Sequence, residues 1–208
     1  ARLAFGTDTA ASVRAPASFT GTVALKTTKD RWSTEGIVPL STTFDTPGLL
    51  ALSMDDLCYG FAALESETGD DVSDFVTRAR RTDMGSLRIG VCDELFAECD
   101  PGIADTALAA LRELEKAGAK LSPYQLPNLA DVFAFGKGGG VTPVELAAFL
   151  AAELPAWRAT LGEDIKARVA MGEDISGVEY VNRLRRMRDL RRDAAGAFDP
   201  VDVIAFPT

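Results

Sequence analysis

Residues 6–16 read GTDTAASVRAP, a short stretch in which a serine follows a run of small side chains. The small residues Thr9, Ala10 and Ala11 leave the Ser12 hydroxyl and the neighbouring backbone N–H groups open to an approaching molecule. Acyl transfer requires an exposed nucleophile beside N–H donors, because the tetrahedral intermediate carries negative charge on the former carbonyl oxygen. Loops of this kind are more often ordinary turns, so this stretch alone leaves both catalysis and a structural turn open.

The segment between residues 5 and 65 contains further short motifs in a fixed order. They are GTDTxxSVRxPASF at 6–19, VALKTT at 23–28, GIVPLS at 36–41, FDTPG at 44–48 and SMDD at 53–56. Together these motifs resemble the amidase signature family, and an ordered set of motifs is far more specific than any single pattern. The resemblance implies a protein that hydrolyses or transfers the acyl group of a carboxamide.

The resemblance also assigns roles within the 6–16 stretch. Ser12 is the expected nucleophile of a serine–serine–lysine triad, whose other two members lie upstream in the family and are not found among the eleven residues before Ser12. The backbone N–H groups of Thr9, Ala10 and Ala11 are expected to form the oxyanion hole. Asp8 and Arg14 are expected to pair and hold the loop, with binding of a substrate carboxylate by Arg14 as the alternative.

The chain departs from the family at several positions. Ala11 stands where glycine is common, and Ala24, Thr27 and Asp30 replace what are usually glycine, proline and glycine. Alanine tolerates a positive φ poorly, and if the loop needs that conformation at Ala11 the cost is about 1 kcal/mol or more. A poorly active or non-catalytic member of the family therefore stays open.

Two other stretches bear on the substrate. Residues 31–36, RWSTEG, and 45–48, DTPG, look more like the aryl-acetamide and mandelamide hydrolase branch of the family. The expected reaction is hydrolysis of a small linear carboxamide to acid and ammonia through an acyl-enzyme on Ser12. One alternative is the amidase subunit of a tRNA-dependent amidotransferase, although that branch usually has glutamine at the position of Thr46. The other is a degenerate, non-catalytic member with a structural or interaction role.

Composition restricts the remaining function classes. The 208-residue chain is 47% hydrophobic, which is ample for a core, and it has a net charge of −9, which disfavours nucleic acid as a partner. The absence of histidine excludes a Ser-His-Asp triad and histidine metal ligands within these residues. The three cysteines lack paired metal spacing, and their odd number suits reduced thiols in a cytoplasmic protein. We expect no cofactor and no metal, a small amide as the partner, no membrane, and a homodimer as an open question.

Three local patterns resemble ligand sites but have simpler structural explanations. Residues 136–140, GKGGG, lack the hydroxyl residue and the spacing of a phosphate loop, and predict a mobile loop, which in the family can flank the substrate entrance. The arginines between 183 and 192 alternate with apolar residues and predict a solvated helix face. The remaining pattern is an acidic cluster without the spacing of a calcium loop, and it consists of Glu65, Glu67, Asp70, Asp71 and Asp74.

The order of apolar and polar segments predicts an α/β fold. We expect a mixed, mostly parallel β-sheet flanked by helices on both faces, with residues 1–208 as an internal portion of a single amidase domain, incomplete at both ends. Strands at 87–91 and 120–126 with a helix at 101–117 predict a βαβ unit, and 202–206 predicts a buried central strand. Residues 65–86 predict a surface connection. Capping boxes are expected at Thr142 with Glu145 and at Ser176 with Glu179.

Overall fold

The computed structural model describes residues 1–65, 72–81 and 83–208. The chain divides into two compact units, residues 1–80 with 135–186 and residues 81–134 with 187–208. Short 3₁₀ turns lie at Met84–Ser86 and Pro155–Thr160. In chain order the other elements are β1 (Leu3–Asp8), α1 (Arg14–Thr20), β2 (Val23–Lys26), β3 (Thr46–Ala51), α2 (Met54–Glu65), α3 (Val72–Ala79), β4 (Arg88–Val91), α4 (Asp93–Ala97), α5 (Pro101–Lys116), β5 (Lys120–Pro123), α6 (Leu129–Lys137), α7 (Thr142–Glu153), α8 (Glu163–Glu173), α9 (Gly177–Asp193) and β6 (Val203–Ala205).

The first unit contains an antiparallel sheet in the order β1-β3-β2. Its middle strand is almost entirely buried because it is covered by strands on both sides and by α2, and Leu49 at its centre has no exposed surface. The core joins Leu49 and Ala51 of β3 to Leu57 of α2. Gly48 is required by close packing, since a Cβ at this position would lie 2.7 Å from the carbonyl oxygen of Leu25.

The first unit also contains a helical core formed by α7 and α8. Leu146, Leu150 and Val169 are buried there. The two helices approach so closely that a Cβ on Gly172 would lie 2.0 Å from the carbonyl oxygen of Pro143. Pro155 follows directly after α7, as expected of a residue that cannot continue a helix.

The two predicted capping boxes have different outcomes. At the start of α9 the backbone N–H of Glu179 donates to the hydroxyl of Ser176 at 3.1 Å, which confirms the serine cap. At the start of α7 the N-cap position is Val141, and no side chain caps the helix. The capping box predicted at Thr142 and Glu145 is therefore wrong, because the Glu145 carboxylate bonds to other groups in the first unit.

The second unit contains a parallel sheet in the order β5-β4-β6. The predicted strand–helix–strand unit is confirmed as β4, α5 and β5, although β5 ends at Pro123. Ile89 and Val91 of β4 pack with Leu111 of α5 in the core of this unit. The chain is thus of the predicted mixed α/β class, with its described strands divided equally between one antiparallel and one parallel sheet.

Two predictions about the fold need correction. Among the described strands β6 pairs only with β4 and lies at an edge, and Val203 is 42% exposed, so the central position expected for residues 202–206 belongs instead to β4. The surface connection expected at 65–86 contains the helix α3, whose Val76 is 2% exposed because an apolar stripe of this helix packs inward. The proposed acidic cluster is described only at Glu65 and Asp74, while Glu67, Asp70 and Asp71 lie outside the described residues.

Candidate active site

The stretch that carries Ser12 connects β1 to α1. β1 ends at Asp8 and α1 begins at Arg14, so the intervening residues form a tight strand-to-helix turn. Ser12 is exposed at this turn, whereas the next residue, Val13, has no exposed surface. Two glycines make room for Val13, because a Cβ on Gly6 would lie 3.0 Å, and one on Gly48 3.2 Å, from its methyl groups. The buried valine therefore anchors the turn while the adjacent hydroxyl faces outward.

Asp8 and Arg14 form a bidentate ion pair at the base of this turn. Asp8 Oδ2 accepts from the Arg14 Nε at 3.0 Å and Oδ1 accepts from Arg14 Nη2 at 2.9 Å. The same carboxylate accepts from the backbone N–H groups of Val13 at 3.2 Å and Arg14 at 3.4 Å. Asp8 is only 1% exposed, so its carboxylate exchanges water for these four donors. The carboxylate thus ties the end of the strand to the start of the helix.

The pair alters the protonation of both side chains. Burial acts to raise the pKa of Asp8, but the hydrogen bonds from Arg14 and Val13 and the charge of Arg14 outweigh it, so the pKa lies below its ordinary value. The pKa of Arg14 is raised, chiefly by its hydrogen bonds to Asp8. Both groups are therefore held in their charged forms at neutral pH.

The backbone of the turn is strained at the position where the family commonly has glycine. Ala11 has a φ of +148°, a conformation that residues with a side chain rarely adopt. Its carbonyl accepts from the N–H of Ala15 at 2.8 Å, which starts the helical turn. The condition named from the sequence, a positive φ at Ala11, is thus met, and a cost of about 1 to 3 kcal/mol follows for the turn.

A shallow depression lies beside Ser12. It has a volume of about 410 Å³ and is lined by Ala10, Ala11, Ser12, Ala15, Pro16 and Phe19. Apart from the serine, every lining side chain is apolar. The depression offers contact area to a small apolar or aromatic group next to the Ser12 hydroxyl.

Sequence reasoning missed a second carboxylate that contacts the turn. Asp45 is 4% exposed, and its Oδ1 accepts from the hydroxyl of Thr9 at 2.5 Å. Its Oδ2 accepts from the backbone N–H groups of Leu40 at 2.8 Å and Ser41 at 2.9 Å. The motif FDTPG was available as a signal, because it places an acidic residue directly before a strand that is apolar on both sides.

Glu145 is a third carboxylate that the sequence did not assign to this region. It accepts hydrogen bonds from the hydroxyls of Ser41 and Thr43, from the backbone N–H of Thr43 at 3.1 Å and from the hydroxyl of Tyr180 at 3.0 Å. Burial, followed by the hydrogen bond to Glu145, raises the pKa of Tyr180. Helices α7 and α9 are thereby connected to the segment that carries Asp45.

Lys26 is a half-buried cation at the end of β2. Its ammonium group donates to the carbonyl oxygen of Thr27 at 2.8 Å. Burial, together with repulsion from Arg14, lowers the pKa of Lys26, while attraction to Asp8 opposes this. A third charged group therefore belongs to the surroundings of the Asp8–Arg14 pair.

The other patterns noted in the sequence have structural partners. Lys137 belongs to α6, and Arg183 Nη1 donates to the carbonyl oxygens of Gly138 at 2.9 Å and Gly140 at 2.8 Å, so the glycine-rich loop is held at two points. Arg192 pairs with Asp189 on the exposed face of α9. Among the described residues no group of histidine, cysteine, aspartate and glutamate side chains is placed to hold a metal ion. Within the same ranges, no helix has the length and apolar character needed to cross a membrane.

The fold and the turn define an α/β domain with an exposed serine at a strand-to-helix connection, and comparison with known proteins identifies its family. The family model for Amidase matches residues 1–208, and the chain belongs to that family. A 2-amino-5-chloromuconic acid deaminase of Comamonas testosteroni is 43% identical over 212 residues, covering 100% of this chain and 44% of that protein. One glutamyl-tRNA(Gln) amidotransferase subunit from Pelodictyon phaeoclathratiforme is 29% identical over 238 residues, covering 100% and 50%.

Solved structures agree on the fold. The 6-aminohexanoate cyclic dimer hydrolase, in complex with substrate, superposes with a TM-score of 0.74 at 24% identity, covering 93% of this chain and 44% of that one. The native peptide amidase from Stenotrophomonas maltophilia superposes with a TM-score of 0.71 at 24% identity, covering 100% and 50%. The chain thus spans about half the length of the relatives it matches.

Proposed function

We propose that this chain carries the nucleophile of an amidase that hydrolyses a small carboxylic-acid amide to acid and ammonia, with Ser12 as the acyl-accepting residue. The observation that carries the proposal is the position of Ser12. Its hydroxyl is exposed at a turn fixed by the buried Asp8–Arg14 pair and by the buried Val13, and it borders an apolar depression. A nucleophile held on a rigid turn with open space beside it is what covalent catalysis requires.

The reaction would proceed through an acyl-enzyme. Ser12 Oγ attacks the amide carbon and gives up its proton to a base, and the departing nitrogen takes a proton and leaves as ammonia. Water then attacks the ester and releases the acid, which returns the proton to Ser12. The backbone N–H groups of Thr9, Ala10 and Ala11 stabilise the negative oxygen of each tetrahedral intermediate, and loss of one such donor typically costs about 3 kcal/mol. In the family the base is a lysine that acts through a second serine, both upstream of the nucleophile.

The depression beside Ser12 favours an uncharged acyl group. Alanine, proline and phenylalanine side chains line it, and Phe19 is 90% exposed. A phenyl ring could stack on Phe19 with a gain of about 1 kcal/mol beyond its area burial. This supports the aryl-acetamide and mandelamide branch that residues 31–36 resemble, and phenylacetamide is the substrate to test first.

Two alternatives have an observation in their favour. The 43% identity to a 2-amino-5-chloromuconic acid deaminase favours removal of an amino group from an acidic substrate, and the partly exposed Arg14 is the cation available for a carboxylate. The strained backbone at Ala11 favours a non-catalytic member. The amidotransferase subunit is less favoured, because Thr46 stands where that branch usually has glutamine and is only 1% exposed, which leaves no room for a longer side chain.

The test is a pair of serine substitutions in the whole protein. Ser12→Ala should remove ammonia release from phenylacetamide by several orders of magnitude and abolish labelling by a fluorophosphonate, since covalent catalysis cannot proceed without the hydroxyl. Ser18→Ala, on the exposed side of α1, is the matched control and should change neither. If Ser18→Ala silences the enzyme and Ser12→Ala does not, the assignment is wrong.

Further outcomes separate the alternatives. Loss of neither activity nor labelling in Ser12→Ala, or no labelling of the unmodified protein, would favour a non-catalytic member. Ammonia release from a 2-aminomuconate but not from phenylacetamide would favour the deaminase. Activity that requires partner subunits and a glutaminyl substrate would favour the amidotransferase.

A further inference from the structure

A continuous series of hydrogen bonds leads from the turn beside Ser12 to two helices distant in sequence. It begins at the Thr9 hydroxyl, which donates to Asp45 at 2.5 Å. The other oxygen of Asp45 accepts from the N–H groups of Leu40 and Ser41, so this carboxylate closes the 40–45 segment on itself and on Thr9. Asp45 is 4% exposed, and a buried carboxylate is stable only with such a full set of donors.

The 40–45 segment is itself fixed from outside. Ser41 has no exposed surface, and its hydroxyl donates to Glu145 of α7. Thr43 donates to the same carboxylate through its hydroxyl and its backbone N–H. Tyr180 of α9 donates to Glu145 at 3.0 Å and so restrains it from the far side. The position of Asp45 is therefore determined by α7 and α9 as well as by its own strand.

We infer that Asp45 is a positioning residue for the oxyanion hole, acting through Thr9, and that Glu145 and Tyr180 fix the segment that carries Asp45. The inference rests on the proposed function of Ser12. Thr9 precedes Ala10 and Ala11, and the strained φ of Ala11 means that this turn does not keep its shape unaided. Because the Thr9 hydroxyl is committed to Asp45, the direction of its backbone N–H is set by that bond.

The chemistry of the series suggests substitutions that keep its shape. In Asp45→Asn the amide oxygen can still accept from Leu40 and Ser41, but the amide nitrogen then faces Thr9 as a donor, which reverses the hydrogen bond at that point. Thr9→Val removes only the hydroxyl from the same bond and preserves volume. Thr9→Ser keeps the donor and should rescue the effect of valine.

The decisive experiment is a double-mutant cycle in the whole protein, with phenylacetamide hydrolysis and the rate of fluorophosphonate labelling as readouts. Thr9→Val and Asp45→Asn should each lower kcat by roughly ten- to a hundredfold, because small misplacements of oxyanion donors have effects of this size. KM should change by less than about threefold, since transition-state and not ground-state binding is affected. The double variant should be no slower than the slower single variant by more than about threefold, because both act on one bond.

Variants further along the series should have graded effects. Glu145→Gln should lower kcat by less than Asp45→Asn, and Tyr180→Phe by less again, since each is one step further from Thr9. Asp56→Asn, which removes an acidic side chain paired with Arg2 at the surface, is the control and should leave kcat unchanged. Melting temperatures of all variants show whether a lower kcat reflects unfolding.

Several results would overturn the inference. Additive losses in the cycle, a change confined to KM, or a Thr9→Val variant as active as Thr9→Ser would each show that Asp45 does not act on the oxyanion hole. If Asp45→Asn fails to fold, the Thr9→Val and Thr9→Ser pair still decides, because it tests the same bond from the other side. If Ser12→Ala keeps full activity, the proposed function has failed first and the kinetic differences lose their basis.

Discussion

Replacing Asp8 with asparagine should destabilise the protein substantially. The carboxylate is 1% exposed and accepts two hydrogen bonds from the Arg14 side chain, and an amide can accept only on one side. Breaking a buried ion pair costs about 3 to 5 kcal/mol. The Arg14 side chain is 44% exposed, so solvent screens part of this and we expect a loss of about 2 to 3 kcal/mol.

The size of this loss should depend on pH in a specific direction. The pKa of Asp8 lies below its ordinary value of 3.8 in the folded protein. The carboxylate therefore contributes stability that is fully present above pH 3.8 and is lost as the pH falls through the lower, folded pKa. The difference in unfolding free energy between the wild type and Asp8→Asn should thus be constant between pH 7 and 5 and narrow below about pH 4.

Urea unfolding followed by tryptophan fluorescence at pH 7, 5, 4 and 3 measures this difference. The matched control is Asp55→Asn, which removes the carboxylate of an exposed Arg80–Asp55 pair with the same bidentate arrangement. Exposed pairs contribute little, so the control should lose much less stability than Asp8→Asn at neutral pH. A difference that is equal at pH 3 and pH 7, or a control as damaging as the test, would refute the role given to Asp8.

Three further outcomes are expected. Ala11→Gly should raise the unfolding free energy by about 1 kcal/mol by relieving the positive φ, whereas Ala15→Gly inside α1 should lower it by a similar amount; equal effects of the two on denaturant midpoints would contradict the strain. Gly172→Ala should destabilise by more than about 2 kcal/mol, because its Cβ would overlap the Pro143 carbonyl, while Gly102→Ala, with open space, should be neutral or stabilising. Hydrolysis should persist in excess EDTA, and activity restored to a chelated enzyme by a divalent metal would overturn the metal-free mechanism.

Features that depend on residues near one another in sequence could be predicted. The Asp8–Arg14 contact follows from a short turn that brings two opposite charges together, and the structure contains it. The β4–α5–β5 unit follows from apolar periodicity and from the length of the connecting helix. The serine cap of α9 follows from a hydroxyl three residues before a backbone N–H.

Features that depend on how distant elements pack could not be predicted. The sequence suggested that Glu145 caps its own helix, whereas it bonds to Ser41, 104 residues away, and to Tyr180. Residues 202–206 are as apolar as a central strand, but strand order depends on which neighbours the crossover connections leave free, and among the described strands β4 is central.

The amino-acid sequence by itself determined the family, the mixed α/β class and the turn that exposes Ser12, because motif order, periodicity and short-range charge pairing are properties of neighbouring residues. Only the tertiary structure decided that Asp45 contacts Thr9 and that Glu145 holds the segment carrying Asp45. A carboxylate can accept from any hydroxyl or N–H that is brought to it, so its partners are selected by the packing of β3, α7 and α9 and not by its place in the chain.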